Sequence, residues 1–583
     1  MKRAVLLWMV LPSVALGYAF KVDDAVPARR PTWPAGTVVN YTLGSDRPAN
    51  IRAGTDVLGD LRRGVAVWEE SSGLRFGIVE GGSGLSVAQD GQNVITFANT
   101  AANRDVLGEF QALSFIWWDA NAVLIETDMV FRTDVVTWGD VPDGVMTLDL
   151  QGLCAHEAGH AIAMEHTGIQ SATMFPYGGP DQLWRRTLDT DDRSGARDNY
   201  DRQEFTGNIG GTVTVGGQPA FKAHVVVEQG GRPVASAVTL HDGVYAIQNL
   251  PPGTYRVYVE PADGPLQPTD FVGGEWNALD ATIVFATTYA ASDVTVASAA
   301  VTVNLTPAAG AGPNLRFVTP SPDGTGFPAR GPYAVQVAPS STGHVALMGA
   351  GVDQVADTAF TAGDGITLGT VTARGLNGDN VPYAIIQYTV AANAQPGPRT
   401  LHATTAGGAR ANLTGALLVG DCHEAGGTDP DADAVCVGDN CPNAANPDQD
   451  NRDGDSAGDM CDACPDDPLI TTGSCGGASS SSSAAVVSSS RGPSSSSAGR
   501  SSSSVVPQSS SAVAVSSSVG ASSAPSVSGS SGGGGVTSSS QGASADPPEE
   551  EGCSATTVHA AGVAWWQALV ALGAVLVWRR RAR

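Results

Sequence analysis

The stretch HEAGHAIAMEHTGIQSATMFP, His156 to Pro176, holds three histidines and a glutamate at spacings that suit a metal. His156 and His160 are four apart, so on a helix they share a face and can turn ring nitrogens toward one cation. Glu157, next to the first of them, can reach a water at that cation. His166 is six residues beyond His160 and too far round for the same face. It becomes a third ligand only if the chain turns back after the helix. Three protein ligands with one position left open is the arrangement of a hydrolytic zinc site. The first 205 residues contain no other histidine. One zinc is therefore expected on His156, His160 and His166, with Glu157 as general base.

The pattern HExxHxxxxxH resembles the metzincin zinc endopeptidases and, among them, the matrixins. That resemblance implies an α+β catalytic domain, a protein or peptide substrate, and a methionine turn beneath the metal, a place that Met174 fits. Leu58, Leu61, Val65 and Trp68 stand at helical spacing around LRRGVAVWEE, as in the amphipathic helix that precedes the first strand of that fold. GQNVITFA and IETDMVFRTD resemble its central and edge strands, the edge strand being where the family lays its peptide. LDTDDRSGARDNY, 188–200, resembles its closing helix. The likeness covers 31–202.

Several residues depart from the family. Ala163 stands where a glycine normally lets the chain leave the helix, and an alanine in a left-handed turn costs about 1 kcal/mol. Arg193 and Arg197 occupy a closing helix that is usually apolar. No histidine remains for a second, structural zinc. No cysteine lies between the leader and the catalytic helix, which excludes latency through a zinc-bound thiol. Cys154 reads as a small buried residue. Asp128 and Asp134 could help bind a calcium, but nothing in their spacing requires one.

These residues need a scaffold, and 583 residues are too many for one core. The chain reads as multidomain: a metzincin-like α+β head, all-β sandwich modules, a disulfide and calcium repeat, a disordered Ser-rich linker and one C-terminal transmembrane helix. A formal charge of -26 argues against nucleic acid as a partner. Lys2 and Arg3 followed by the apolar run 4–16 read as a secretory signal, 1–17, cut after Gly17 or Ala19. The head is then 18–205.

Two β regions follow it. The first, 206–306, resembles the carboxypeptidase regulatory-like sandwich through Asp242-Gly243, Tyr245, Leu250-Pro251-Pro252-Gly253 and Tyr255, which implies a structural or spacing role. Within it, His224 and His241 read as strand and turn residues, and 262–312 has no assignable pattern. The second, 307–419, resembles immunoglobulin-like TIG modules.

Half the net charge of -26 falls between Asp421 and Asp467, among six cysteines (Cys422, Cys436, Cys441, Cys461, Cys464, Cys475) that read as disulfides in an exported chain. This segment, 420–475, resembles a thrombospondin type 3 repeat. Asp448, Asp450, Asp453, Asp455 and Asp459, spaced with Gly454 and Gly458, can converge on a structural Ca2+. Serine dominates 476–550, a flexible spacer.

In 551–583 an uncharged run, 560–578, precedes RRRAR and reads as a membrane span with its end in the cytoplasm. With Gly552-Cys553 it resembles the myxobacterial C-terminal sorting signal, which implies a processing enzyme as partner and release or re-anchoring near Cys553. Two other functions stay open at this point. One is an inert surface adhesion or scaffold protein, and the other is a zinc hydrolase of cell-wall peptides.

Overall fold

The computed structural model describes residues 18–21, 29–98, 100–108, 110–133, 137–139, 147–179, 182–271, 276, 281–328 and 333–420, with 441, 458, 460–462 and 464. The expected leader, Asp134, the five calcium-site aspartates, the Ser-rich spacer and the apolar C-terminal run all lie outside these residues. Among the described residues no helix is long and apolar enough to cross a membrane.

The head begins with β1 (Val38–Leu43), whose alternating burial turns Val39, Tyr41 and Leu43 inward. Helix α1 (Val57–Ala66) follows, its start capped by Asp56 accepting from Gly59 N at 3.0 Å. A short turn of helix, α2 (Glu69–Ser72), leads to β2 (Arg75–Glu80) and β3 (Asn93–Phe97). Then come α3 (Ala101–Leu107) and the hairpin of β4 (Ala112–Trp118) with β5 (Leu124–Phe131). The sheet order is β2-β1-β3-β5-β4, parallel except for β4. The strand IETDMVFRTD is thus internal, and the edge belongs to ALSFIWW. Both runs are almost wholly buried, polar Glu126, Thr127 and Asp128 included, so their patterns do not order them, and the hairpin sets β4 outermost.

A short parallel ladder of β6 (Thr137–Gly139) and β7 (Thr147–Asp149) leads into α4 (Leu150–Ala161). Asp149 caps α4 by accepting from Gly152 N at 2.7 Å, and the same carboxylate holds both Arg186 Nε and Nη2. Helix α4 is buried almost all round, which its small residues permit. A Cβ added to Gly64 of α1 would lie 2.7 Å from that of Cys154 on α4, so the two helices touch at their backbones. Cys154 is fully buried and unoxidised, as its sequence context suggests. The closing helix α5 (Thr190–Asn199) has a capping box of Asp189 and Asp192. Arg197, out of place for an apolar face, pairs with Glu70 and Glu204 instead.

Beyond the head stand two sandwiches. In the first, Ala223–Gln229 and Gly253–Pro261 form the middle of one sheet, and Gly207–Thr212 lies between Val244–Leu250 and Ala300–Thr302 in the other. The unassigned segment joins this body: Thr288–Tyr289 and Val294–Val296 both pair with Gly253–Pro261. The second sandwich opposes two four-stranded sheets over its own core. A single apolar core runs from the head through the first sandwich, joining residues such as Leu188 and Ala196 to Ile209 and Val225. The module is packed onto the head, which is more than spacing. Cys441 and Cys461 form a disulfide, and Cys464 is disulfide-bonded as well.

Candidate active site

Helix α4 delivers His156, Glu157 and His160, and it stops at once because Ala163 turns left-handed with φ +69°. Alanine thus adopts the conformation for which the family keeps a glycine. The turn is held on both sides: Ala163 N donates to His160 O at 2.8 Å, and Lys21 N donates to Ala163 O at 2.9 Å. The chain then doubles back, and His166 meets the other two. One ligand atom from each of the three histidines lies within 4.8 Å of the others, the only such cluster of metal-binding side chains among the described residues.

Each ring is oriented by a main-chain oxygen. Nδ1 of His156 faces Thr173 O at 2.7 Å, that of His160 faces Met164 O at 2.9 Å, and that of His166 faces Asp270 O at 2.5 Å. A carbonyl only accepts, so Nδ1 of His160 and of His166 carries the proton and their Nε2 is left with a lone pair for a cation, whereas Nδ1 of His156 also has the Arg185 guanidinium at 2.9 Å. Burial, then the positive Arg185, then His166 hold His156 well below its ordinary pKa; burial acts first on the other two rings as well. All three are therefore neutral, the form that ligates.

A divalent cation fits these residues. Nε2 of His160, Nε2 of His166 and Oε2 of Glu157 are buried with no hydrogen-bond partner, a combination that is costly unless something else satisfies it. Two imidazole nitrogens and a third beside them suit zinc. Burial, the main cause, pushes the Glu157 carboxyl up to about 7. Ser114 of edge strand β4 donates through Oγ to Glu157 O at 2.8 Å, tying helix to strand.

Met174 packs against Gly159 of α4 and is fixed from α5. Asp192 accepts from Met174 N at 3.1 Å and Thr173 N at 2.8 Å, so the closing helix sets both the methionine and the carbonyl that orients His156. Arg185, buried, donates to Thr173 O and Phe175 O at 2.8 Å each and completes that loop. Sequence reasoning missed Arg185, Asp192 and the buried ion pair of Lys21 with Glu165, because lone charges ordinarily read as solvated. It also missed Asp270, which acts through its backbone.

The remaining candidates have other roles. Asp128 accepts from Val94 N at 2.9 Å and Ala88 N at 3.0 Å, which ties it into the sheet, and Asp134 lies outside the described residues. His224 faces Glu260 at 2.9 Å, and His241 stacks on Phe221 with ring centres 3.7 Å apart.

A sequence profile of the matrixin family matches residues 32–201. The hatching enzyme of Paracentrotus lividus is 28% identical over 185 residues, 30% of this chain. The chain spans about a quarter (27%) of that relative's length. Among solved structures, myroilysin is 18% identical with a TM-score of 0.13, over 24% of this chain and 52% of that one. A mixed-linkage glucan utilization protein, SGBP-B of Bacteroides ovatus, bound to a heptasaccharide, is 15% identical with a TM-score of 0.13, over 36% and 42%. Likenesses that weak in space carry no structural argument. The profile match and the curated relative make residues 32–201 a matrixin-like head of the metzincin zinc-endopeptidase type.

Proposed function

We propose that the chain is an exported zinc metalloendopeptidase, tethered at the cell surface through its C-terminus. The observation that carries the reading is the convergence of the three imidazoles, with Nε2 of His160 and of His166 left buried and partnerless beside the orphan Glu157 Oε2. Zinc, when bound by His156, His160 and His166, supplies Lewis acidity: it makes water easier to deprotonate near pH 7 and polarises a carbonyl. Glu157 takes the proton from a water at Oε2 and passes it to the leaving amine. Asp192 holds the N–H groups of Thr173 and Met174, and Thr173 O in turn orients His156. Strand β4 has β5 as its one partner among the described residues, so an extended peptide can add along its outer edge. That geometry favours a polypeptide over a cell-wall peptide or an inert scaffold.

Export rests on Lys2, Arg3 and the apolar run after them, and tethering on 560–578 with its terminal arginines. Of the two cleavage points, the one after Gly17 keeps Tyr18 and Ala19. Tyr18 Oη donates to Gln248 O at 2.7 Å, and Ala19 O accepts from Glu165 N at 2.9 Å. A calcium on the 448–459 aspartates and processing near Cys553 complete the proposal.

The test is the full chain from Tyr18 onward, loaded with zinc, on an unfolded protein substrate beside Glu157→Gln. Cleavage by the parent, lost on chelation and at least 100-fold lower in the variant with zinc still bound, is the expected result. Equal turnover by the two removes Glu157 from this role.

A further inference from the structure

We propose that Asp270 is a positioning residue for the metal centre, so that the first β-sandwich completes a site whose ligands all lie in the head. The proposal rests on the reading of the three histidines as metal ligands. His156 and His160 are anchored by carbonyls of the head itself, Thr173 and Met164, and both rings start from a rigid helix. His166 starts from a loop, and its Nδ1–H is held by the carbonyl of Asp270, 104 residues further along the chain. A ligand imidazole bonded in this way has its tautomer and ring plane fixed, and its free nitrogen is made more basic.

The carbonyl is held in turn. Asp270 ends the single turn Pro268–Asp270, and its own carboxylate accepts from Gln267 N at 2.7 Å. The other carboxylate oxygen accepts from Tyr177 Oη of the head at 3.1 Å, so the side chain staples the turn to the loop after Met174. Lys222 Nζ donates to Pro268 O at 2.8 Å and to Trp276 O at 2.7 Å, and Trp276 Nε1 donates to Phe20 O at 2.8 Å. Phe271 and Trp276 are buried with Phe221 and Ala19 in a small core shared by the sandwich and the first residues of the head. That much fixation is more than a connecting segment needs, and its one polar contact with the zinc ligands is the bond to His166. The same turn lies against a site in which all three histidines and Glu157 are no more than 2% exposed. A turn that served only as a cover would restrain the enzyme, and one that positions His166 would sustain it. The two roles give opposite signs when the turn is loosened.

The experiment uses the full chain with Asp270→Ala, Asp270→Asn and Tyr177→Phe. Each is loaded with zinc for proteolysis and with cobalt(II) for its visible spectrum and rate of metal loss to a chelator. Asp270→Ala removes both carboxylate contacts and is expected to lose metal 10- to 100-fold faster, with an altered cobalt spectrum and lower kcat. Asp270→Asn keeps an acceptor and should recover part of that loss. Tyr177→Phe, which removes one contact and leaves the turn its own cap, should shift metal loss in the same direction by a smaller factor. It keeps the question open to test if Asp270→Ala does not fold. Unchanged metal loss and spectrum in folded Asp270→Ala and Tyr177→Phe overturn the proposal. So does faster proteolysis with metal held as tightly as before, the signature of a cover. A parent chain that takes up neither metal overturns the underlying functional reading, and the proposal falls with it.

Discussion

Gly159 is where the catalytic helix and its floor meet most closely, and Gly159→Ala measures how tightly. A Cβ placed there would lie 2.2 Å from Met174 Sδ, 3.1 Å from Met174 Cε and 2.7 Å from Trp68 Cζ2. Trp68 cannot give way cheaply: it is fully buried, and its Nε1 donates to Ala155 O at 2.8 Å. Met174 is flexible but 1% exposed, and its backbone N–H is held by Asp192. An extra methyl in so full a space costs about 1–3 kcal/mol. The better helix propensity of alanine returns about 1 kcal/mol. Contacts this short with a rigid indole place the cost at the top of its range, for a net loss of about 2 kcal/mol. At about 2–4 °C per kcal/mol for a unit of this size, Tm should fall by about 4–8 °C. Scanning calorimetry on the zinc-free and zinc-loaded chain reads it, with Gly82→Ala as control, since a Cβ there meets nothing within 4 Å. Displacement of Met174 should also narrow the gap in Tm between the two forms, because the floor under the rings has moved. A variant as stable as the parent, with the same gap, would refute the view that Met174 and Trp68 are locked beneath the site.

Two further expectations concern residues at which several effects compete. Ala163→Gly relieves about 1 kcal/mol of left-handed strain but gives up a buried methyl of about 0.8 kcal/mol and about 0.4–1 kcal/mol of backbone entropy, so the chain should end slightly less stable, within about 1 kcal/mol, by urea midpoint. A gain above 2 kcal/mol contradicts this. Burial, the main cause, pushes Glu228 up to about 7 from an ordinary 4.5, and its side chain is fully enclosed. The folded state therefore holds a proton that the unfolded chain releases between those values, and Glu228 makes stability fall as pH rises through that window, by up to about 3 kcal/mol. Glu228→Gln should flatten that part of the profile, and parallel parent and variant profiles from pH 4.5 to 7.5 would rule out the assignment.

How much of this was legible depends on which atoms do the work. The helical pair His156 and His160 and the amphipathic α1 follow from side-chain types at fixed spacing, the closing helix was read from the family resemblance, and spacing alone also required the chain to turn back before His166. The left-handed turn at that point was legible from the family's glycine, and Ala163 adopts it at a cost of about 1 kcal/mol. The strand order was not legible. ALSFIWW is almost wholly apolar and LIETDMVF carries Glu126, Thr127 and Asp128, so composition alone points the wrong way, and only their antiparallel pairing in space makes the first the edge. The ring anchors were least legible, because Thr173, Met164 and Asp270 act through main-chain oxygens that any residue supplies. No composition marks them.

The same fact bears on how the site forms. Its ligands come from one helix and one loop, but the oxygens that aim them come from three separate places: the loop under α5, the turn after α4 and the sandwich beyond the head. Asp191 of α5 accepts from Ser236 N of that sandwich at 2.6 Å, so the helix that sets Thr173 and Met174 is itself braced by the module that supplies Asp270. Two of the three anchors thus depend on the same docking, and one core connects the bodies. Metal affinity in this chain should therefore track the integrity of the sandwich as well as the head, since binding energy is drawn from whatever must be in place before the ligands converge. A head cut free near residue 205 keeps every ligand and the general base yet loses the carbonyl behind His166 and the brace behind α5. Its zinc content would measure the module's contribution and would not report on the competence of the ligands themselves.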